Sequence, residues 1–579
     1  MNADRLLALY ELVAEAPDAI ARLRRFVLDL AVRGKLVAQD ADDEPASELL
    51  KRIAAEKAQL VKAGEIRKSR KEADLSGEDP YHLPAKWLWV PFDELHHLVR
   101  GVTYSKGDVA DTPSAGFVPI LRANNIGPTL TYNDAVYVKA ERVSTDQYLR
   151  HGDYMIALSS GSKNLVGKAA LVPETLEYAF GGFCGAIRLF DPVLVGFVGV
   201  FLSSDLYRES ISAGSRGIGI NNLKKEVLAN LYFPLPPLAE QRRIVAKVEE
   251  LMALLDRLEA ARTAREATRD RLTAASLARL TAHHTDPEAE PGKVGTGFPS
   301  GSATTKDSFT ANARFALATL PALTTRPDQI KPLRQTILNL AVRGKLVAQD
   351  AGDEPASELL KRIDVWRHES VRKKEIRLPR KELKTVSEPE EPYLLPNGWS
   401  WARLGQLIYI QSGDGLTSAK MKDGPVPVFG GNGITGYHDA ANTSEPTIVI
   451  GRVGYYCGSI HVTPSEAWIT DNAFRTKYSK NEIHREFLEL LLNATDLKEQ
   501  ENATAQPVIS GMKIYPIVVG LPPLAEQHRI VAKVDALMAL CDRLEAALTT
   551  ADTTRARLLD ALLHEALNPA AEAITEAAE

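Results

Sequence analysis

Ala31–Ile53 reads AVRGKLVAQDADDEPASELLKRI, and Ala341–Ile363 reads AVRGKLVAQDAGDEPASELLKRI. The two stretches differ only where Asp42 gives way to Gly352. A second pair, PPLAEQRRIVAKVEELMALLDRLEAA from Pro236 and PPLAEQHRIVAKVDALMALCDRLEAA from Pro522, follows the same rule. The chain therefore has the order A–x–B–A′–y–B′, in which A and B are near copies while x and y share almost nothing. A matched frame carrying two unmatched inserts suits a molecule that reads two different things with pseudo-twofold geometry.

The match extends beyond the identical letters. Pro17-Asp18 pairs with Pro327-Asp328, Leu23-Arg24 with Leu333-Arg334, and Glu65-Ile66-Arg67 with Glu375-Ile376-Arg377. The A segments read as helices, with Asp18 and Asp328 as N-caps, Gly34 and Gly344 as C-terminal stops, and Pro45 and Pro355 opening the next helix at its first turn. In the B copies, Ile244, Val248, Leu251, Leu255 and Leu258 step by four and three, as do Ile530, Val534, Leu537, Cys541 and Leu544. That alternation is a coiled-coil seam, and a helix of about 45 residues would be about 70 Å long. Two such helices, lying antiparallel, would hold two globular domains apart.

The inserts change composition to β-branched and aromatic runs broken by glycine, such as VPILRANNIG and TIVIGRVGYYCGSIHV, which read as α+β modules. The expected boundaries are 1–86 for A, 87–234 for insert x, 235–284 for B, 285–312 for a linker, 313–398 for A′, 399–520 for insert y, 521–567 for B′ and 568–579 for a frayed tail. The linker assignment rests on the Pro, Gly, Ser and Thr content of Thr285–Asn312.

Glycine-bearing loops rich in Ser, Asn, Lys and Arg suit DNA. Glycine lets the backbone approach phosphate, Lys and Arg neutralise it, and Asn and Arg pair with adenine and guanine edges. In insert x the candidates are Lys106, Arg122, Asn124, Asn125, Ser160, Ser162, Lys163, Asn164, Lys168, Arg216, Asn221 and Asn222. In insert y they are Lys420, Lys422, Asn432, Arg452, Tyr455, Tyr456 and Asn472. Each loop cluster is a stronger candidate than any one of its members, since a single such residue is more often just a solvated loop residue.

Other chemistry finds little support. GNGITG at Gly431–Gly436 satisfies a dinucleotide-binding pattern, but the helix that pattern requires does not follow it. There is no P-loop, no H-E-x-x-H and no Asn-Pro-Pro-aromatic tetrad of the kind that holds a flipped adenine for methylation. The twelve histidines form no metal-ligand spacing, His283-His284 sits at a helix–linker border, and a helix N-terminus suffices to explain Glu240 and Glu526. The chain reads as non-catalytic and metal-free. Among its 579 residues, 45% are hydrophobic and 25% charged, ordinary values for a globular protein, and the net charge of −5 argues against nonspecific coating of nucleic acid. No apolar run suits a membrane span, the acidic opening MNADRLLALYELVAEAPD is unlike a signal peptide, and three scattered cysteines fit a reducing cytoplasm.

With repeats and inserts laid out, the sequence resembles the specificity (S, HsdS) subunits of type I restriction–modification systems. The carriers are the LPPLAEQ-x-RIVAKV segments at Leu235 and Leu521 and the LAVRGKLVAQD-x-x-DEPASELLKRI segments at Leu30 and Leu340. Insert x adds ILRANNI, GDYMIALSSGSKNLVGKAALV and GIGINNL, and insert y adds PVPVFGGNGITGY and IVIGRVGYYCGSI. The resemblance implies an α+β fold with two target-recognition domains separated by long antiparallel coiled-coil helices. It implies that each domain reads half of an asymmetric, bipartite double-stranded DNA site. It also implies docking of two methyltransferase subunits and, through them, restriction subunits. S-adenosylmethionine, ATP and Mg2+ would belong to those partners, with no cofactor in this chain. The alternative is a coiled-coil protein adaptor with two protein-binding modules.

Overall fold

The computed structural model describes residues 15–66, 79–162, 165–214, 221–281, 324–377, 383–387, 390–495, 497 and 508–567. The linker at 285–312, the tail from 568 and the histidines at 283–284 lie outside these residues. The chain forms two compact units. One takes the residues up to Ala264 together with those from Asp552 onward, and the other is Arg265–Ala551.

In the first unit, helices α1 (Ala19–Val32) and α2 (Ala46–Lys62) precede the insert, and a short ladder closes it. Strand β1 (Leu88–Pro91) pairs antiparallel with β12 (Tyr232–Leu235), Leu88 opposite Leu235 and Pro91 opposite Tyr232. Between them a four-stranded sheet has the order β2 (His96–Arg100), β10 (Cys184–Leu189), β6 (Tyr154–Ala157), β8 (Ala169–Leu171). A second sheet has the order β3 (Val109–Ala110), β5 (Val136–Lys139), β4 (Phe117–Leu121), β9 (Ala179–Phe180), its last pair parallel. Strand β7 (Ser159–Ser160) pairs with β11 (Asn221–Asn222). Helices α3 (Val195–Ser203) and α4 (Asp205–Gly214) lie between β10 and β11, and α5 (Leu238–Thr281) follows β12.

The second unit repeats the plan with fewer strands. Helices α6 (Ile330–Val342) and α7 (Ala356–Arg372) lead to the closing pair β13 (Ser400–Arg403) and β21 (Val518–Leu521). One sheet has the order β14 (Ile408–Ser412), β20 (Ala473–Tyr478), β17 (Ile448–Gly451), β18 (Ile460–Val462). The other has β16 (Gly433–His438), β15 (Val426–Gly430), β19 (Trp468–Ile469), again with a parallel pair. Helix α8 (Arg485–Ala494) packs in the module, and α9 (Leu524–Leu567) follows β21. The architecture is α+β, and each long helix has 44 residues, close to the length read from the sequence.

The a/d stripe is buried inside its own unit. Ile244, Val248 and Leu255 share a core with Val27 and Ala31 of α1 and Phe197 of α3, with Leu251 and Leu258 packed against it. Ile530, Val534 and Cys541 do the same beside Ile337 and Phe487, with Leu537 at the margin. Leu544 departs from the expectation: it is 38% exposed, and Leu548, one turn further on, joins the core instead. The ends of the long helices also pack. Leu559, Leu562 and Leu563 are buried against Ala16 and Ala19, and Arg22 donates to Asp560 at 2.6 Å, all within the first unit. In the second, Leu277 and Leu280 meet Leu333 and Leu340, and Arg326 clasps Glu266 and Asp270.

The repeated letters build a repeated joint. Trp87 Nε1 donates to Glu240 at 2.9 Å, and Trp399 Nε1 to Glu526 at 3.0 Å. Gln39 and Gln349 donate to the other oxygen of each carboxylate. Arg243 pairs with Asp43 and Arg529 with Asp353, each through two hydrogen bonds. Gly34 and Gly344 end their helices at φ 66° and 65° as expected, and a Cβ there would strike Pro84 at 2.5 Å or Pro396 at 2.3 Å. Both carboxylates are buried, and burial raises the pKa of Glu240 and Glu526 above the ordinary carboxylate value. The helix N-terminus was therefore an incomplete explanation of these acids, which latch the insert's first tryptophan to the long helix. Two caps also differ. Asp18 holds the N-cap position without a side-chain bond, and Gln329, not Asp328, precedes α6. Pro45 and Pro355 stand one residue earlier than read, at the N-cap.

Candidate nucleic-acid interface

The two inserts, unlike in sequence, build the same loop junction. In the first, the chain leaves β2 through Gly101, whose N–H donates to Cys184 O at 3.1 Å, while Val102 N donates to Phe180 O at 2.7 Å. A Cβ on Gly101 would lie 2.2 Å from Gly181 O, so only glycine permits this crossing. In the second, Gly413 follows β14, Gly413 N donates to Ala473 O at 3.1 Å, and Asp414 N donates to Ile469 O at 2.9 Å. A Cβ on Gly413 would meet Ile469 O at 2.2 Å.

The facing turns correspond as well. Cys184 N donates to Gly181 O at 2.8 Å, and Ala473 N to Thr470 O at 3.1 Å. The residue before each closing donor, Phe183 or Asn472, lends its carbonyl to the next loop: Leu158 N donates to Phe183 O and Arg452 N to Asn472 O, both at 2.9 Å. Leu158 O in turn accepts from Leu223 N and Arg452 O from Ile509 N. Those loops close at Gly167 and Gly458, whose N–H groups donate to Ala157 O and Gly451 O at 2.8 Å with φ of 80° and 86°. Backbone hydrogen bonds thus fix the same loops at one end of each sheet while the side chains differ.

Several sequence candidates fall in this junction. In the first insert, Arg122 and Asn124 are exposed just beyond Leu121, whose carbonyl accepts from Gly181 N, and Arg122 also donates to Asp134 O. Ser160 is half-buried opposite Asn221, and Ser162 and Asn222 are exposed, as are the neighbouring Lys224 and Lys225. Lys168 is half-buried beside the closing Gly167. Lys106 is exposed but precedes β3, the edge strand farthest from β9. Lys163, Asn164, Arg216 and the side chain of Asn221 lie outside the described residues.

Asn125 is a correction. It is 1% exposed; its Oδ1 accepts from Arg122 N, and its Nδ2 donates to Thr131 O and Asn133 O. An amide spent on three backbone groups shapes the loop and has no edge left for a base.

In the second insert, Asn432, Arg452 and Asn472 come together. A Cβ on Gly431 would meet Val453 O at 2.4 Å and Asn472 O at 3.2 Å, so Asn432 adjoins both loops. Arg452 is only half exposed, and its Nη1 donates to Ser412 Oγ and Asp471 O, which makes it partly a strut. Tyr455 and Tyr456 are 72% and 53% exposed and meet edge to face. Lys420 and Lys422 are exposed but separate: Lys422 N donates to His438, at the opposite end of the β15–β16 hairpin from Asn432. GNGITG forms the turn and first residues of that hairpin, with Gly433 at φ 82°. The sequence reading missed Phe183, 68% exposed, because a single phenylalanine in an apolar run is ordinarily a core residue. It also missed Asp414, which holds Arg475 and Asn442 at 2.8 Å beside the crossing. Among the described residues no group of His, Cys, Asp and Glu is placed to hold a metal ion, and no helix is long and apolar enough to cross a membrane.

Comparison with known proteins assigns the class. The model of the type I restriction modification DNA specificity domain matches residues 84–265 and 396–551. The chain is 30% identical to the type I restriction enzyme EcoEI specificity subunit of Escherichia coli, over 95% of this chain and 94% of that protein. It is likewise 30% identical to the EcoAI specificity subunit of the same organism, with the same coverage of both. Among solved structures, one described as showing complex assembly and conformational transition of the type I R-M system aligns with TM-score 0.45 and 20% identity, covering 84% of this chain and 99% of that one. The HsdS subunit of Thermoanaerobacter tengcongensis aligns with TM-score 0.39 and 21% identity, covering 85% and 98%. The chain belongs to the family of type I restriction–modification specificity subunits, the non-catalytic recognition components of these systems.

Proposed function

We propose that this chain reads an asymmetric, bipartite double-stranded DNA site, one half-site through each insert, and docks two methyltransferase subunits through its repeated frame. Restriction subunits join through the methyltransferases. S-adenosylmethionine, ATP and Mg2+ act in those partners, in the cytoplasm, and this chain carries no cofactor. The observation that carries the reading is the shared loop junction with unshared side chains: Gly101 and Gly413 make the same crossing, yet the loops around them present different chemistry. One scaffold with two sets of contacts suits two unlike half-sites, whereas the twin joints at Glu240 and Glu526 suit two identical partners. The net charge of −5 is compatible with a sequence-specific reader whose basic groups gather on one face.

The test is equilibrium binding of duplex DNA by the chain assembled with its methyltransferase partners, across a salt series. Tight binding that depends on both sequence and salt is expected. Absence of base preference at every salt concentration would exclude the reading and favour the protein-adaptor alternative. S-adenosylmethionine should fail to bind the purified chain alone.

A further inference from the structure

The two turns that face the glycine crossings carry a difference with a direct consequence. Phe183 and Asn472 hold the same backbone position, each the residue before the N–H that closes the turn, and each lends its carbonyl to the neighbouring loop at 2.9 Å. The turn in the first insert is pinned further: Ser159 N also donates to Phe183 O, and a Cβ on Gly182 would meet Thr103 Oγ1 and Val102 O at 3.3 Å. The backbone is thus held firmly while the side chain stands out, Phe183 being 68% exposed and Asn472 exposed as well.

A large apolar side chain left in water loses the free energy that burial would supply, and a rigid turn leaves it no route into the core. Candidates for polar DNA contact adjoin it: exposed Arg122 follows the strand bonded to Gly181, exposed Asn222 pairs with Ser159, and half-buried Ser160 comes next on the same strand. In the second insert Asn432 and Arg452 occupy the corresponding neighbourhood of Asn472.

We infer that this turn position determines specificity in each insert, Phe183 by apolar contact with a thymine methyl group and Asn472 by paired hydrogen bonds to an adenine edge. The inference rests on the proposed reading of DNA by the inserts. The chemistry follows the side chains: phenylalanine has no donor or acceptor and discriminates by the methyl group that only thymine displays, whereas the carboxamide matches N6 and N7 of adenine. A pinned backbone matters because a side chain on a loose turn would reach several bases equally.

The test uses the chain assembled with its methyltransferase partners and a library of duplexes randomised across both half-sites, selected at fixed salt. Phe183→Ala should relax preference by about tenfold at one base position of one half-site, leaving the other half-site unchanged. Asn472→Ala should relax one position in the other half-site only. Each unaffected half-site reports that the variant is folded and assembled. Unchanged preference at every position, or a uniform loss of affinity without relaxed preference, would overturn the inference. Lack of base preference in the unsubstituted complex would instead reject the underlying reading.

Discussion

Three buried or half-buried acids, Asp29, Glu240 and Glu526, illustrate what single side chains do here. Asp29 on α1 faces Asp205 of α4; burial first, and then the neighbouring carboxylate, raise its pKa from 3.8 to about 6. The folded state therefore holds a proton that the unfolded chain releases, so the stability from this group is fully present below about pH 4 and is lost as pH rises through about 6. The corresponding residue of the second copy is Asn339, which cannot ionise. Asp29→Asn should flatten the pH–stability profile between pH 4 and 6 and stabilise the first unit at pH 7 by about 1–2 kcal/mol, as thermal melting across pH would reveal. An unchanged profile would show that Asp29 stays solvated. At the twin joints, Trp87→Phe or Trp399→Phe leaves a buried carboxylate oxygen of Glu240 or Glu526 without its indole partner, at a cost of about 1–2 kcal/mol in denaturant unfolding. Equal costs at the two sites are expected from the matched geometry.

At the scale of elements, the closing ladders explain how unlike inserts share one frame. Strands β1 and β12, and β13 and β21, bring both ends of each insert side by side, so a replacement meets the frame at one short ladder, one tryptophan latch and one apolar helix face such as that of Phe197 or Phe487. Exchange of residues from about Trp87 to Pro234 for the insert of another family member should alter one half-site only, as mapping of methylated adenines would show; change at both half-sites would refute modularity. The frame was legible in sequence because its helices are written twice and their apolar residues recur at helical spacing. Gly34 and Gly344 could be recognised as helix ends because few other residues adopt their backbone angles. The shared junction was not legible, because it consists of backbone hydrogen bonds and two glycines embedded in otherwise unrelated text. Asn125 looked like a base reader because an internal cap and a base contact require the same carboxamide. Leu544 kept the seam spacing in sequence yet stays exposed, while Leu548 one turn further on packs against the core.

For the whole molecule, composition of the units matters more than their order in sequence. The first unit contains the last turns of α9, where Leu559, Leu562 and Leu563 cover Ala16 and Ala19, and Lys35 donates to Leu567 O. Ending the chain after Ala551 should remove about 1.5–3 kcal/mol for each of these leucines from the first unit. Amide exchange should then quicken over Ala19–Phe26 while the core around Ile530 and Phe487 keeps its protection; equal protection in both forms would show that the contact is dispensable. The same packing imposes a schedule on synthesis. Domains ordinarily fold in the order they leave the ribosome, at roughly 5–20 residues per second. Here the main core of the first unit is complete once α5 has emerged, whereas the cluster at Ala16 and Ala19 is covered only when the end of α9 arrives, so a prematurely terminated chain leaves that patch open.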